Sequence, residues 1–361
     1  MPKKSISSLE LAAIVNELQL LVRGKVSQIY HQDKKELLLQ LHAPGKGKVL
    51  LKIIPGKYVC LTEQKDTPLR PTGFCMLLRK HINNAIIRSI QQKDSERILI
   101  FELEKEEKFS LVIELFSKGN VVLLDKEGII IGTLEWQRWK DRIVKPKERY
   151  VFPEAAFDWK KMSEKQLQDL FSKSDKKSVV VTLATEIGLG GLYAEEICRL
   201  LGIDKSISPR EIDQGTIKKI NKTIKEFLKH IETPQGYIYE EEVTPFPLQS
   251  QEEKKKTELY SQALDTLNPF QKVSPYDQKI RTLEKMVEGQ EKAIEELQEK
   301  ITLNGKRGDT IYESYAKLQK LRDIVDEMKK TAGWQEIETA LKKEKKIKTV
   351  DLKNKRVLID L

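Results

Sequence analysis

The chain has 361 residues, with 65 Lys or Arg against 55 Asp or Glu, a formal charge of +10 and an isoelectric point near 9.1. That length predicts two or three domains. A basic surface on a chain that is one-third charged points to a polyanionic partner rather than a small-molecule substrate. No apolar run reaches the roughly 18 residues a membrane helix needs, and the N-terminus lacks the apolar core of a secretion signal, so a cytoplasmic location and no membrane contact are expected. Cys60, Cys75 and Cys198 are odd in number and widely spaced, as expected of reduced thiols filling the core. His31, His42, His81 and His230 show no metal-ligand spacing, so neither a metal nor a cofactor is expected.

Residues 1–158 read as an α+β domain. Ser7 is placed to cap an opening helix lined by Leu9, Ala12, Ala13, Val15, Leu18, Leu20 and Leu21. Short strands are expected at Val26–Tyr30, Leu37–Leu41, Val49–Ile54 and Tyr58–Thr62, and an amphipathic helix over 73–83. Arg79, Lys80 and His81 stand at its C-terminal end, where the helix dipole favours positive charge. A polar turn then leads directly to a strand over 97–104, with Ile98, Ile100 and Glu102 on one side and Leu99, Phe101 and Leu103 on the other. Glu96 and Arg97 sit together where that strand begins. Further strands are expected at 109–116, 120–124 and 128–134, with turns at Gly119-Asn120 and Lys126-Glu127-Gly128. Trp136 and Trp139 alternate with Arg138, Lys140 and Arg142. They could stack on bases, but packing on the core is the preferred reading.

Residues 159–235 change to a helical unit. Leu183–Ile187, Gly188-Leu189-Gly190-Gly191 and Leu192–Ile197 read as helix, glycine hairpin and helix. The glycines permit a tight turn, and the amides at the start of the second helix favour an anion, as in a helix-hairpin-helix phosphate clip. A plain αα-turn explains the glycines equally well. Residues 236–275 read as a linker and short helix, because Pro245 and Pro247 bias their predecessors away from helix. Residues 276–331 read as a coiled-coil arm. Ile280, Val287, Ile294 and Ile301 recur every seven residues, with Leu283, Gln290, Leu297 and Asn304 between them. Asn304–Gly308 should kink the helix or turn it back on itself, before a second run through Ile311, Leu318 and Val325. The last segment, 332–361, begins what reads as another domain. From 342 onward it holds eight Lys or Arg against three Asp or Glu.

Several blocks resemble the NFACT family. They are Ser7-Ser8-Leu9-Glu10, Gly24–Tyr30, Arg70–His81 continuing to Glu96–Glu104, the hairpin Glu114–Asp125, and Tyr150-Val151-Phe152-Pro153. Several blocks in family order make the match specific, and the archaeal branch fits best. The resemblance implies a β-sandwich N-terminal domain similar to that of formamidopyrimidine-DNA glycosylases, a helix-hairpin-helix domain and one long coiled-coil helix. It also implies that the chain stops short of the family's returning helix arm and C-terminal domain. Glycosylase chemistry is not expected: such enzymes use an N-terminal proline beside a glutamate, and here Pro2 is followed by Lys3 and Lys4. No P-loop, nucleophile elbow or carboxylate dyad is present, so no catalytic residue is assigned.

What the resemblance implies for function is ribosome-associated quality control. Such proteins engage large ribosomal subunits that carry obstructed peptidyl-tRNA, hold tRNA and promote untemplated tailing of the nascent chain, typically with alanine. The family's acid and its Asp-Arg pair fall on Glu10, Glu96 and Arg97, both acids being one methylene longer here. Arg97 could hold a phosphate bidentately, with Glu96 accepting from a ribose hydroxyl or base amine. Arg79 and Lys80 are supporting tRNA contacts, and Gly188, Gly190 and Gly191 form the phosphate hairpin. Lys342, Lys343, Lys345 and Lys346 are candidate contacts to rRNA. Simpler readings stand beside these. Ser7 with Glu10 is a capping box, Glu96 with Arg97 is a weak hairpin ion pair, and a lysine run is a solvated tip. The competing functional classes are general nucleic-acid binding and adhesion or scaffolding, the latter disfavoured by the lack of a secretion signal and of disulfides.

Overall fold

The computed structural model describes residues 3–32, 36–65, 70–139, 142–153, 157–267, 275–341, 347–351 and 356–359. It forms two compact units, Met1–Gln271 and Lys272–Leu361. Pro2, Lys140 and Lys342, Lys343, Lys345 and Lys346 fall outside the described residues.

In the first unit, helix α1 (Ser8–Glu17) starts at a reciprocal capping box: Ser7 Oγ accepts from the Glu10 amide (3.3 Å), and Glu10 Oε2 accepts from the Ser7 amide (2.7 Å). Leu9, Leu11, Ala12, Ala13 and Ile14 are all buried, so α1 is apolar around most of its circumference and lies inside the unit. The strands that follow are β1 (Lys25–Gln32), β2 (Glu36–Ala43), β3 (Gly47–Ile54) and β4 (Tyr58–Thr62), and then helix α2 (Gly73–Ile82). After α2 come β5 (Ile86–Gln92), β6 (Ile98–Glu104), β7 (Lys108–Glu114), β8 (Asn120–Leu124), β9 (Ile130–Thr133) and a small hairpin, β10 (Gln137–Arg138) with β11 (Ile143–Val144).

The first nine strands make one antiparallel sheet in the order β4-β3-β2-β1-β5-β6-β7-β8-β9. Its two meanders join through a single β1–β5 register pair, Lys25 with Ile86. Their far ends meet where the β3–β4 turn touches the β7–β8 turn. Gly56 and Gly119 both have positive φ, +74° and +70°, and a Cβ on Gly119 would lie 1.9 Å from the Gly56 nitrogen. Glycine is required there on both counts.

Strand β5 stands where the sequence reads as a polar turn. A register shift between Ile87 and Ser89 breaks the two-residue alternation and leaves Ile87 and Ile90 buried three residues apart, so the usual strand signal is missing. The split of β6 into two faces holds. Leu99, Phe101 and Leu103 enter the main core, whereas Ile98 and Ile100 join Val112, Val122, Ile130 and Tyr150 in a second, smaller one. Trp136 is 77% exposed and Trp139 39%. They do not pack into the core as expected, because the β10–β11 hairpin turns Gln137 and Val144 inward instead.

The main core continues without a break into the helical segment. That segment comprises α3 (Glu164–Lys173), α4 (Val179–Val181) running into a π-turn over Thr182–Glu186, α5 (Gly191–Leu200) and α6 (Gln214–His230). Trp159, Phe171, Ile197, Phe227 and Tyr260 belong to the same cluster as α1 and the sheet. Residues 236–267 are more than a linker: β12 (Gly236–Ile238), β13 (Val243–Thr244) and β14 (Lys255–Thr257) form a three-stranded sheet that precedes α7 (Tyr260–Leu264). This segment is tied back to the sheet and α1. Asp265 pairs with Lys52 (2.5 Å), and the Ser261 amide donates to both oxygens of Glu17 (3.2 Å).

The second unit holds α8 (Pro275–Glu313), α9 (Tyr315–Thr331), α10 (Trp334–Leu341) and the hairpin β15 (Ile347–Asp351) with β16 (Arg356–Ile359). Helix α8 is 39 residues long, about 58 Å at the α-helical rise. It continues without interruption through Asn304–Gly308, and the break falls instead at Ser314. Ile280, Leu283, Val287, Ile294, Leu297 and Ile301 are exposed along it. Of the second heptad run, Leu321, Val325 and Met328 instead join a small core with Ile337 and Leu341.

Two stability experiments follow from this packing. Gly119→Ala should cost about 3 kcal/mol or more in urea melts, since both strain and overlap act. Gly128→Ala has a similar φ of +79° but open space around it, and should cost only about 1–2 kcal/mol. Burial raises the Glu17 carboxyl above its ordinary range, with the Ser261 hydrogen bonds opposing. Its contribution to stability is therefore greatest at low pH and declines as pH rises through that raised value. Glu17→Gln keeps an acceptor and loses the charge. Relative to the parent chain its melting temperature should gain progressively between acid and neutral pH.

Candidate nucleic-acid interface

The start of α1, the turn before β6 and the glycine hairpin converge on one open cavity of about 850 Å³. Each wall is held by specific bonds. The turn over Lys93–Glu96 is closed by the Glu96 amide donating to the Lys93 carbonyl (2.9 Å), with Asp94 at φ 46°. Gln92 Nε2 donates to the carbonyls of Ser8 (3.0 Å) and Glu96 (2.8 Å), which fixes the turn against α1. Ser8 Oγ donates to the Ser95 carbonyl and accepts from Trp159 Nε1 (3.1 Å). A buried tryptophan from the helical segment thus locks the two elements together.

The hairpin wall rests on Ser7. Gly188 and Gly190 both have φ +86°, and a Cβ on Gly190 would lie 3.3 Å from Ser7 Cβ, whereas Gly188 and Gly191 face open space. The Gly190 amide is spent on the Ala184 carbonyl (3.2 Å), and the first helical bond of α5 is Ala194 to Gly190. The first-turn amides of α5, those of Gly191, Leu192 and Tyr193, are left for an anion, as expected at the start of the second helix, whereas that of Gly190 is not.

Of the predicted contacts, Glu10, Glu96, Arg97, Gly188, Gly190 and Gly191 all line this cavity. Arg79 and Lys80 do not. Arg79 donates through Nε (2.8 Å) and Nη2 (2.5 Å) to the Ile29 carbonyl and lies over the Tyr30 ring, so it anchors α2 to β1. Glu10 is only 1% exposed. Its Oε1 accepts from Lys3 Nζ and from Tyr193 Oη (2.8 Å), beside the Oε2 bond to Ser7. The helix-capping reading of Glu10 is realised, and the same carboxylate also joins α5 to α1.

Arg97 is different. Among the described residues no hydrogen bond or ion pair reaches its guanidinium, and Glu96 forms no ion pair with it. Burial lowers its affinity for the proton, an effect that the Glu96 charge opposes. A half-buried, unpaired guanidinium beside free helix amides is a site prepared for an anion. The cavity is not uniformly basic, however: Lys3, Lys4 and Arg97 face Glu10, Glu96, Glu186 and Glu242. Lys3 is already spent on Glu10, on the Val243 carbonyl (2.6 Å) and on Glu242 (3.4 Å). Among the described residues, Glu186 Oε2 is buried without a hydrogen-bond partner. Free acceptors thus stand next to free donors, a mixture that suits a hydrogen-bonding nucleotide better than a bare phosphate.

Sequence reasoning missed Lys3, Glu186, Tyr193 and Glu242 as parts of this site. Glu186 and Tyr193 flank the glycine hairpin and were overlooked beside the glycines, whereas Lys3 and Glu242 are brought to it only by the tertiary packing of residues 3–10 on 184–193 and 242–243.

A match to the family model for the NFACT N-terminal and middle domains spans residues 7–270. The chain belongs to the NFACT family. It is 28% identical to the archaeal Rqc2 homolog aRqcH of Methanocaldococcus jannaschii over 95% of its own length, and spans 55% of that relative. It is also 31% identical to the Rqc2 homolog RqcH of Bacillus subtilis over 37% of this chain and 26% of that protein. Among solved structures, the N-terminal part of the fibronectin/fibrinogen-binding protein of Streptococcus suis covers 72% of the chain, and is itself 98% covered. Its TM-score is 0.60 at 23% identity, which establishes the shared fold.

The different burial of the two charged residues gives a direct comparison. Glu10→Ala removes the partner of a buried lysine and should destabilise the chain by about 3–5 kcal/mol. Arg97→Ala removes a side chain without partners and should leave the thermal midpoint nearly unchanged. Differential scanning calorimetry on both variants checks this.

Proposed function

We propose that this chain acts in ribosome-associated quality control. It holds tRNA beside a large ribosomal subunit carrying obstructed peptidyl-tRNA, and so promotes untemplated, typically alanine, tailing of the stalled nascent chain. The peptidyl-transfer chemistry is the ribosome's, and the protein contributes position. Two relatives named as Rqc2 homologs support the setting. The observation that carries the tRNA assignment is Arg97, an unpaired, half-buried cation facing the same cavity as the amides of Gly191–Tyr193.

In this reading Arg97 grips a phosphate, and Glu96 and Glu186 accept from ribose hydroxyls or base amines. The hairpin over 187–191 serves as the helix-hairpin-helix clip, with the dipole of the ten-residue α5 reinforcing its amides. Glu10 acts indirectly, by holding Lys3, Ser7 and Tyr193 in place. Helix α8 supplies reach toward the subunit, and the basic stretch after Leu341 adds sequence-independent attraction to rRNA.

Arg97→Ala should lower tRNA recovery in pull-downs about tenfold or more, in keeping with the loss of a charge-assisted contact, while circular dichroism stays unchanged. Raising the salt should weaken recovery by the parent chain as well. Undiminished tRNA recovery by the variant would sink the site assignment.

A further inference from the structure

We propose that the outer face of the β10–β11 hairpin is a stacking platform for unpaired RNA nucleotides, with Trp136 as the platform and Arg138 and Lys145 as phosphate contacts. The choice of RNA rests on the function proposed above; the platform itself rests on geometry at a separate place in the fold. Gln137 pairs with Val144 and Arg138 with Ile143. Gln137 turns inward, its Nε2 donating to the Gly119 carbonyl (3.0 Å), and Val144 is buried. Side chains alternate along paired strands, so Arg138 and Ile143 face outward. Extending the register by one residue puts Trp136 on the same outer face, opposite Lys145.

This face is rigid. Arg142 Nη1 donates to Glu114 Oε1 (2.8 Å) in a buried pair that Tyr150 Oη completes (2.6 Å). The Trp139 amide donates to the Arg142 carbonyl (2.8 Å) and closes the hairpin. A large aromatic ring held in water on a fixed scaffold has lost little conformational freedom by being exposed, and gains most from a flat partner.

Charge decides what kind of partner. From Trp136 to Val151 the sequence carries Arg138, Lys140, Arg142, Lys145, Lys147 and Arg149 against Asp141 and Glu148. Arg142 is consumed internally, and among the described residues Lys145 pairs with Glu148 in an exposed contact (3.3 Å), which a phosphate can displace. An exposed tryptophan among exposed cations matches a base flanked by phosphates, and opposes a basic or purely apolar protein surface.

The test is fluorescence anisotropy of the full chain with labelled oligouridylate and, separately, with a blunt RNA duplex. Trp136→Ala should weaken oligouridylate binding about tenfold and leave duplex binding and the melting temperature unchanged. Trp136→Phe keeps a ring face and should restore most of the affinity. The proposal is overturned if Trp136→Ala binds oligouridylate like the parent chain, if Trp136→Phe is as weak as Trp136→Ala, or if duplex binding falls equally. No tRNA is present in this assay, so a failure of the tRNA assignment leaves its result standing.

Discussion

The buried carboxylate of Glu10 is the junction on which the first unit depends. It caps α1 through the Ser7 amide, neutralises Lys3 from the start of the chain, and accepts from Tyr193 at the start of α5. Two segments that are remote in sequence, residues 3–10 and the start of α5, meet at one charged group. An ion in such surroundings is tolerable only when every lone pair finds a partner. Correct docking of residues 3–10 on the helical segment is therefore a condition for the carboxylate to be buried at all, and that docking is also what forms the walls of the cavity.

With the junction in place, the division of labour among the charged residues follows. Glu10 and Lys3 hold the walls, whereas Arg97 follows a turn fixed by Gln92, Ser8 and Trp159 and has no hydrogen-bond or ion-pair partner among the described residues. Burial of its guanidinium costs the fold desolvation energy that the Glu96 charge offsets only in part. The mixture of free carboxylates and free donors sets the cavity apart from a simple phosphate groove and matches a ligand that presents both phosphates and hydrogen-bond donors.

Much of this was legible in the sequence where signals are local. The Ser7–Glu10 capping box and the alternation of Ile98–Leu103 are written within a few residues and mark α1 and β6, and the positive φ at Gly188 and Gly190 fits their reading as turn residues. Strand β5 escaped because its bulge at Arg88 spaces Ile87 and Ile90 by three. The sequence marks Arg79 as a helix-end cation and supporting tRNA contact, whereas its guanidinium donates to the Ile29 carbonyl fifty positions away, a partner no local pattern shows. Trp136 was placed in the core by its hydrophobicity, although the inward face of its hairpin is filled by Gln137 and Val144. The boundaries at residues 158 and 235 are read from composition, and one continuous core runs through both, which no composition profile can show.

The most direct measurement of the central claim is photo-crosslinking of 4-thiouridine-substituted tRNA to the chain, with mass-spectrometric mapping of the joined peptides. Crosslinks should concentrate in the segments over 93–97 and 187–193, the two walls that meet at the cavity. Crosslinks that spare both segments while forming elsewhere would contradict the account.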